Sequence, residues 1–247
     1  MESRAHQMST RRSNHGSRSL VAGLVLLGLA GCQTRPPQPA PPRAPAPAPA
    51  APAVPAGSRE YRVVAERSLL QVFVYRGGAM ARLGHNHVIA SHHLAGAVYV
   101  TDDPLGTRFD VAFPVAELTV DEPALRAAAG PDFPPAVPQS ARDGTRTNML
   151  SGPLLDAAHF PEIRLRATDV RAAGEGYDVA VEVTLKGASH SLRVPATVTR
   201  EEGTITATGE FPLKQSDLGL EPFTAALGAL VVLDDMRVKF ELTAARP

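Results

Sequence analysis

The sequence predicts an all-β protein, an antiparallel up-and-down barrel of about eight strands with a helical and irregular capping insertion. Three observations carry this expectation. From Gly176 to Leu213 the chain alternates apolar and polar residues in three successive runs. The connections between them, at Gly187-Ala188 and Glu201-Glu202-Gly203, are short enough only for antiparallel hairpins. The last stretch repeats the pattern, with Met236, Val238, Phe240, Leu242 and Ala244 on one face and Arg237, Lys239, Glu241 and Thr243 on the other. Successive side chains of a strand point to opposite faces, so each run has a wet side and a dry side. A two-sheet sandwich would also cover the dry faces, but hairpin connectivity favours a closed barrel.

Glu60 to Ala65 and Leu69 to Tyr75 read as opening strands that turn near Glu66-Arg67-Ser68, and Gly77-Gly78 ends the second. Ala79 to Leu83 reads as a helical turn, and the histidine-rich run after Gly84 as a loop. Leu94 to Thr101 is a strand closed by the turn signal Asp102-Asp103-Pro104 with Gly106. Phe109, Val111, Phe113 and Val115 alternate with polar or small residues, and Pro114 among them predicts an edge or a bulge. Asp121 to Pro161 breaks the β rhythm. An Ala-rich helix from Glu122 to Ala129 is followed by four prolines, a helix from Gln139 to Leu150, and a helical turn from Leu154 to Phe160. An insertion of this length without strands is too long to be slack, so it is expected to cap an open end of the sheet. Ile163, Leu165 and Ala167 begin the strand that leads into the meander, and Glu221 to Leu230 reads as apolar and loosely helical.

About eight strands enclose an interior that is either filled by side chains or holds one ligand. The dry faces make Val181, Val183, Val194, Ile205, Phe211, Val238 and Phe240 the expected lining of a binding interior for one long apolar chain. Ala167, Ala196, Ala207, Gly209 and Ala244 also point inward. Their small size leaves volume unless large neighbours take it, and the sequence leaves both outcomes open.

Charge is balanced, with 25 Lys plus Arg against 25 Asp plus Glu. No basic stripe or aromatic–basic interleaving is present, which argues against a nucleic-acid partner. Cys32 is the only cysteine, so no internal disulfide forms. Arg11, Arg12 and Arg18 precede an apolar stretch from Leu20 to Ala30, too short for a stable bilayer anchor and expected to be a cleaved export signal. The run Leu29-Ala30-Gly31-Cys32 resembles the lipobox of bacterial lipoprotein signal peptides. Its small residues let the backbone enter a peptidase site, and the Cys32 thiol then takes the lipid. The chain thus divides into a leader over 1–31, a lipidated cysteine with a Pro/Ala-rich extended linker over 32–57, and a barrel domain over 58–247. The expected location is the bacterial cell envelope, lipid-anchored and facing the periplasm. Gln33 is not the aspartate associated with inner-membrane retention, which tilts the expectation toward the outer membrane.

Four short stretches carry a family resemblance: Leu155-Asp156-Ala157-Ala158-His159-Phe160-Pro161-Glu162-Ile163, Thr184-Leu185-Lys186-Gly187, Ser216-Asp217-Leu218-Gly219 and Asp235-Met236-Arg237-Val238. Their order and spacing from about Tyr61 to Ala244 resemble the YceI-like polyisoprenoid-binding family. The resemblance implies a lipocalin-like barrel holding a long isoprenoid or quinone-like lipid in an apolar channel. Lys186 departs from the pattern, where many members have His, as do Gln215 and Leu218, where Arg and Phe are common.

The chemical rival is the cluster His85, His87, His92 and His93. Two imidazoles at i and i+2 of a strand share a face, and imidazole suits Zn, Cu, Ni or haem iron. A metal- or haem-linked redox accessory is therefore the alternative function, and a structural envelope module the third. Asp102-Asp103 sits in a turn signal, adjacent carboxylates at Asp234-Asp235 would point apart on a strand, and Ser216-Asp217 lacks a sequence-linked base. No catalytic residues are assigned, and the expectation is a binding protein rather than an enzyme.

Overall fold

The computed structural model describes residues 54–247. The leader, Cys32 and the linker as far as residue 53 lie outside the described residues. In chain order the elements are strands β1 (Arg59–Val63), β2 (Leu69–Gly77), β3 (His87–Ser91), β4 (Ala95–Val100), β5 (Arg108–Pro114) and β6 (Thr119–Val120), helices α1 (Pro123–Ala128) and α2 (Gln139–Leu150), and strands β7 (Glu162–Ala173), β8 (Gly176–Leu185), β9 (Ala188–Glu201), β10 (Thr204–Lys214), β11 (Thr224–Ala225) and β12 (Leu230–Ala245).

These strands make eight staves. β12 pairs antiparallel with both β1 and β2, β4 pairs with β1, and β3 pairs with β2. β5 and β6 continue the series against β4 and β3. Each of the pairs β1–β2, β3–β4 and β5–β6 is therefore one strand bent in the middle. β7, β8, β9, β10 and β12 follow as neighbours, and the contact of β12 with β1 and β2 closes the ring. Closure leaves no long free edge, the liability of an open sheet. The bends are built from short 3-10 turns at Ala65–Arg67 and Val115–Glu117 and from the break at residues 92–94. At the first bend buried Ser68 supplies the bonds the ladder loses. Its hydroxyl donates to Val64 O at 2.8 Å and accepts from Thr243 N at 3.0 Å.

Two expectations change. The histidine run is not all loop, because His87–Ser91 is a strand buried at every position. A strand covered on both sides shows no alternation, which is why its pattern hides it. Pro114 makes no bulge and lies on no outer edge of the sheet. It ends β5 beyond Ala112, the last residue paired with β4, so it has a partner, Glu162, on the β7 side only, and the chain turns immediately into the Val115–Glu117 bend.

The meander follows the sequence pattern closely. Lys186 and Gly187 form the two-residue turn between β8 and β9, both with positive φ (49° and 73°), as a type I′-like hairpin requires. The end of the barrel reached by that turn also carries α2, the turn after it and the start of β12. The opposite end carries the start of β1, the end of β12 and the β9–β10 turn. Outside the wall, α1 and Phe133 pack on Phe73 and Val88 of β2 and β3. Among the described residues every strand and all three apolar clusters lie within residues 59–245, so each of these strands finds its partners and its core inside this segment.

Candidate functional site

The strand alternation puts one row of each stave inside, and that interior is not filled. A cavity of about 350 Å³ runs along the barrel axis. Val181, Val183, Val194, Ile205, Phe211, Val238 and Phe240, the seven residues expected from sequence, all line it. So do Ala167, Ala196, Ala207 and Ala244, whose missing side-chain volume keeps it open. Gly209 plays a different part, since a Cβ there would strike the Phe240 ring and the Pro195 carbonyl. Met149 from α2, with Leu154 and Leu155 after it and Leu218 and Leu220 after β10, closes one end. The helical insertion thus caps the barrel.

Polar groups on the cavity wall are few. Ser91, Thr107, Tyr177, Gln215 and Arg200 stand among apolar neighbours, and Arg200 is the one charge among the described lining residues. Gln215 is spent on Leu233 O at 2.8 Å. Thr107 Oγ1, at the end opposite the cap, is buried with no hydrogen-bond partner among the described residues. Arg200 lies at that same end, one residue before the end of β9.

The cap is fastened by a buried polar chain the sequence reading missed. Asp121 accepts from Val88 N at 2.9 Å and from Arg126 Nη1 at 2.6 Å, and its other oxygen lies 2.6 Å from His87 Nδ1. His87 Nε2 in turn stands 3.0 Å from Thr145 Oγ1 on α2. Asp121 is 1% exposed and Arg126 2%. Burial alone would raise the Asp121 carboxyl pKa. The hydrogen bonds from His87 and Val88 and the fields of His87 and Arg126 outweigh that and hold it below the usual carboxylate range. An ionised carboxylate only accepts, so His87 Nδ1 carries the proton that faces it. The order carboxylate–imidazole–hydroxyl is that of a nucleophile relay. Here Arg126 neutralises the carboxylate, leaving less of its charge to stabilise an imidazolium, and the hydroxyl sits within a helix as a fastener.

The same chain explains why the metal centre expected from His85, His87, His92 and His93 is not assembled. Both ring nitrogens of His87 are engaged. His92 pairs with Glu122 at 2.9 Å and His93 approaches Glu117 at 4.0 Å, so each histidine faces a different carboxylate. The His85 and His87 ring centroids are 6.1 Å apart, and burial with the nearby His87, Arg76 and Arg126 depresses the His85 pKa. Among the described residues no group of three His, Cys, Asp or Glu side chains is placed to hold a metal ion. The one visible signal was Arg126, the single basic residue of the Ala-rich stretch from Glu122 to Ala129, and nothing in the polar run from Gln139 to Leu150 singles out Thr145.

The quoted motifs have identifiable work. Lys186 Nζ donates to Gly152 O and Pro153 O at 3.1 and 3.2 Å, tying the β8–β9 turn to the cap loop. Ser216 donates through N and Oγ to Asp234 at 2.8 and 2.7 Å, which aims Leu218 back into the cavity. The sequence pattern of the YceI-like domain matches residues 62–244, from the first bent stave to the last. The chain belongs to the YceI-like family. Among solved structures, this YceI-like barrel is similar to BcnA of Burkholderia cenocepacia, with 17% identity, 74% of this chain and 99% of that one covered, and a TM-score of 0.54. The YceI protein of Campylobacter jejuni aligns with 13% identity over 62% of this chain and 81% of its own, with a TM-score of 0.43. No curated protein matches the chain in sequence.

Proposed function

We propose that this YceI-like protein holds one long apolar lipid, isoprenoid or quinone-like, inside its barrel, for storage or transfer rather than for chemistry. The observation that carries the reading is the open interior: about 350 Å³, walled almost wholly by aliphatic and aromatic side chains. That volume is within the range of small-molecule sites. A tail leaving a bilayer for such a cavity exchanges one apolar medium for another, so binding is reversible by construction. The cap closes one end, so in this reading the head group lies at the other, beside Arg200 and the Thr107 hydroxyl, which has no partner among the described residues. Titration with a series of straight-chain alcohols tests this. Affinity should rise about fourfold per added methylene, from about 0.8 kcal/mol each, until the tail fills the cavity. An affinity indifferent to chain length would contradict it.

The reading also assigns the protein to the bacterial envelope, lipidated on Cys32 and facing the periplasm. The Leu29-Ala30-Gly31-Cys32 run supports this. Mass spectrometry of the mature N-terminus should find a lipid-modified Cys32, and Cys32→Ser should accumulate an uncleaved precursor. A mature N-terminus at another residue would contradict the anchor while leaving the barrel's role untouched.

A further inference from the structure

Exposed large apolar side chains are few among the described residues, and four of them, Met80, Leu83, Leu227 and Leu233, belong to one tip. The tip is made of two loops held together. One is the stretch between β2 and β3, and the other joins β11 to β12. Met80 N donates to Ala229 O at 2.8 Å, Gly84 lies against Leu230, and the Leu233 side chain covers Gly77.

Leu227 stands fully out of the surface at 108% exposure, and Leu83 is 59% exposed. Ala226 and Leu227 both lie in the left-handed region, with φ of 49° and 54°. Consecutive residues with a Cβ are strained there, and such strain clusters at functional sites. Here it points a leucine away from every apolar neighbour the fold offers.

Within the two loops themselves the charges have one sign, with Glu221 and Asp234 flanking the second. From Arg76 to Asn86 the chain has two arginines, Arg76 and Arg82, and no acidic residue, and from Pro222 to Leu233 it has no charge at all. Neither arginine is paired with a carboxylate among the described residues.

We propose that this tip docks the protein on an anionic lipid surface, with Leu227, Leu83 and Met80 entering the acyl boundary and Arg76 and Arg82 facing the head groups. A convex apolar spike needs a groove on a protein partner, whereas a fluid bilayer accepts it without one. Basic side chains beside an inserted apolar group are the combination that anionic interfaces hold. The tip lies at the capped end of the barrel, away from Arg59, where the chain enters the domain. This contact is therefore additional to any anchor at the N-terminus, and it does not depend on what fills the cavity.

Sedimentation of segment 54–247, its fold first verified by circular dichroism, with vesicles of phosphatidylcholine, with and without phosphatidylglycerol, tests the proposal. The segment should bind the phosphatidylglycerol vesicles, and less so as salt rises. Leu227→Asp and Leu83→Asp should each lower partitioning at least about tenfold. Both residues are exposed, so the circular dichroism and thermal midpoint should not move. Arg82→Glu should weaken binding to the anionic vesicles only. Failure of the wild-type segment to bind anionic vesicles, or unchanged binding by Leu227→Asp, would overturn the proposal. So would a self-association that Leu227→Asp abolishes, since the tip would then meet a second copy. Lipid retention in the cavity should be the same in all these variants, which separates this contact from the barrel's own ligand.

Discussion

Asp121→Asn is expected to lower the unfolding free energy by about 3–5 kcal/mol, the usual cost of removing one partner of a buried ion pair. The carboxylate is nearly solvent-free and bonds Val88 N, Arg126 and His87 at once. An amide restores one acceptor but leaves the Arg126 charge without its counter-ion. Arg126 keeps only the carbonyls of Asn86 and Pro134, at 2.8 and 2.6 Å. The loss should also be pH-dependent. A carboxyl held below its unfolded pKa of about 3.9 contributes stability that is complete above that value. This contribution disappears as pH falls through the lower folded value. The gap between wild type and Asp121→Asn, measured by urea unfolding, should therefore be widest from neutral pH down to mildly acidic conditions and should narrow in strong acid. A gap that grows as pH falls below 4 would contradict the assignment.

Val183→Arg should abolish lipid binding. Val183 is buried on the cavity wall opposite no acidic residue in the lining, so the guanidinium would sit unpaired in apolar surroundings. Such a charge is costly enough to displace a tail or to unfold the barrel. Phe240→Arg probes the inner face of β12, further round the ring, in the same way. Ala196→Phe separates the two outcomes, because it fills volume without charge at a position that is only partly buried. It should stay folded by circular dichroism and still lose the ligand. A folded Ala196→Phe or Val183→Arg that co-purifies with lipid would place the tail elsewhere.

Much of the barrel is legible in the chain because β7 to β10 and β12 each have one face on the cavity and one in water. Val179, Val181, Val183 and Leu185 are buried while Asp178, Ala180, Glu182 and Thr184 are less so, and the period of two survives intact. The signal fails where both faces are covered. His87–Ser91 is wall on one side and packed under α1 on the other, so nothing alternates. The cavity lining follows from the same alternation, but its openness depends on which side chains meet across the ring. The cap's fastening was illegible for a related reason: Asp121, Arg126, Thr145 and His87 are joined through space across up to 58 residues. A histidine's partners decide its role, and sequence spacing does not show them. His87 reads as a metal ligand beside His85 and becomes a strut once Asp121 and Thr145 occupy its two nitrogens.

Whether the barrel carries a lipid is decided by native mass spectrometry of the wild-type protein, purified without denaturant and then extracted with organic solvent. The expected mass exceeds the polypeptide by one long-chain apolar lipid per barrel, recovered in the extract and missing from Ala196→Phe. A well-folded wild-type barrel of bare polypeptide mass that also takes up no long-chain lipid when offered one would contradict the lipid-holding role.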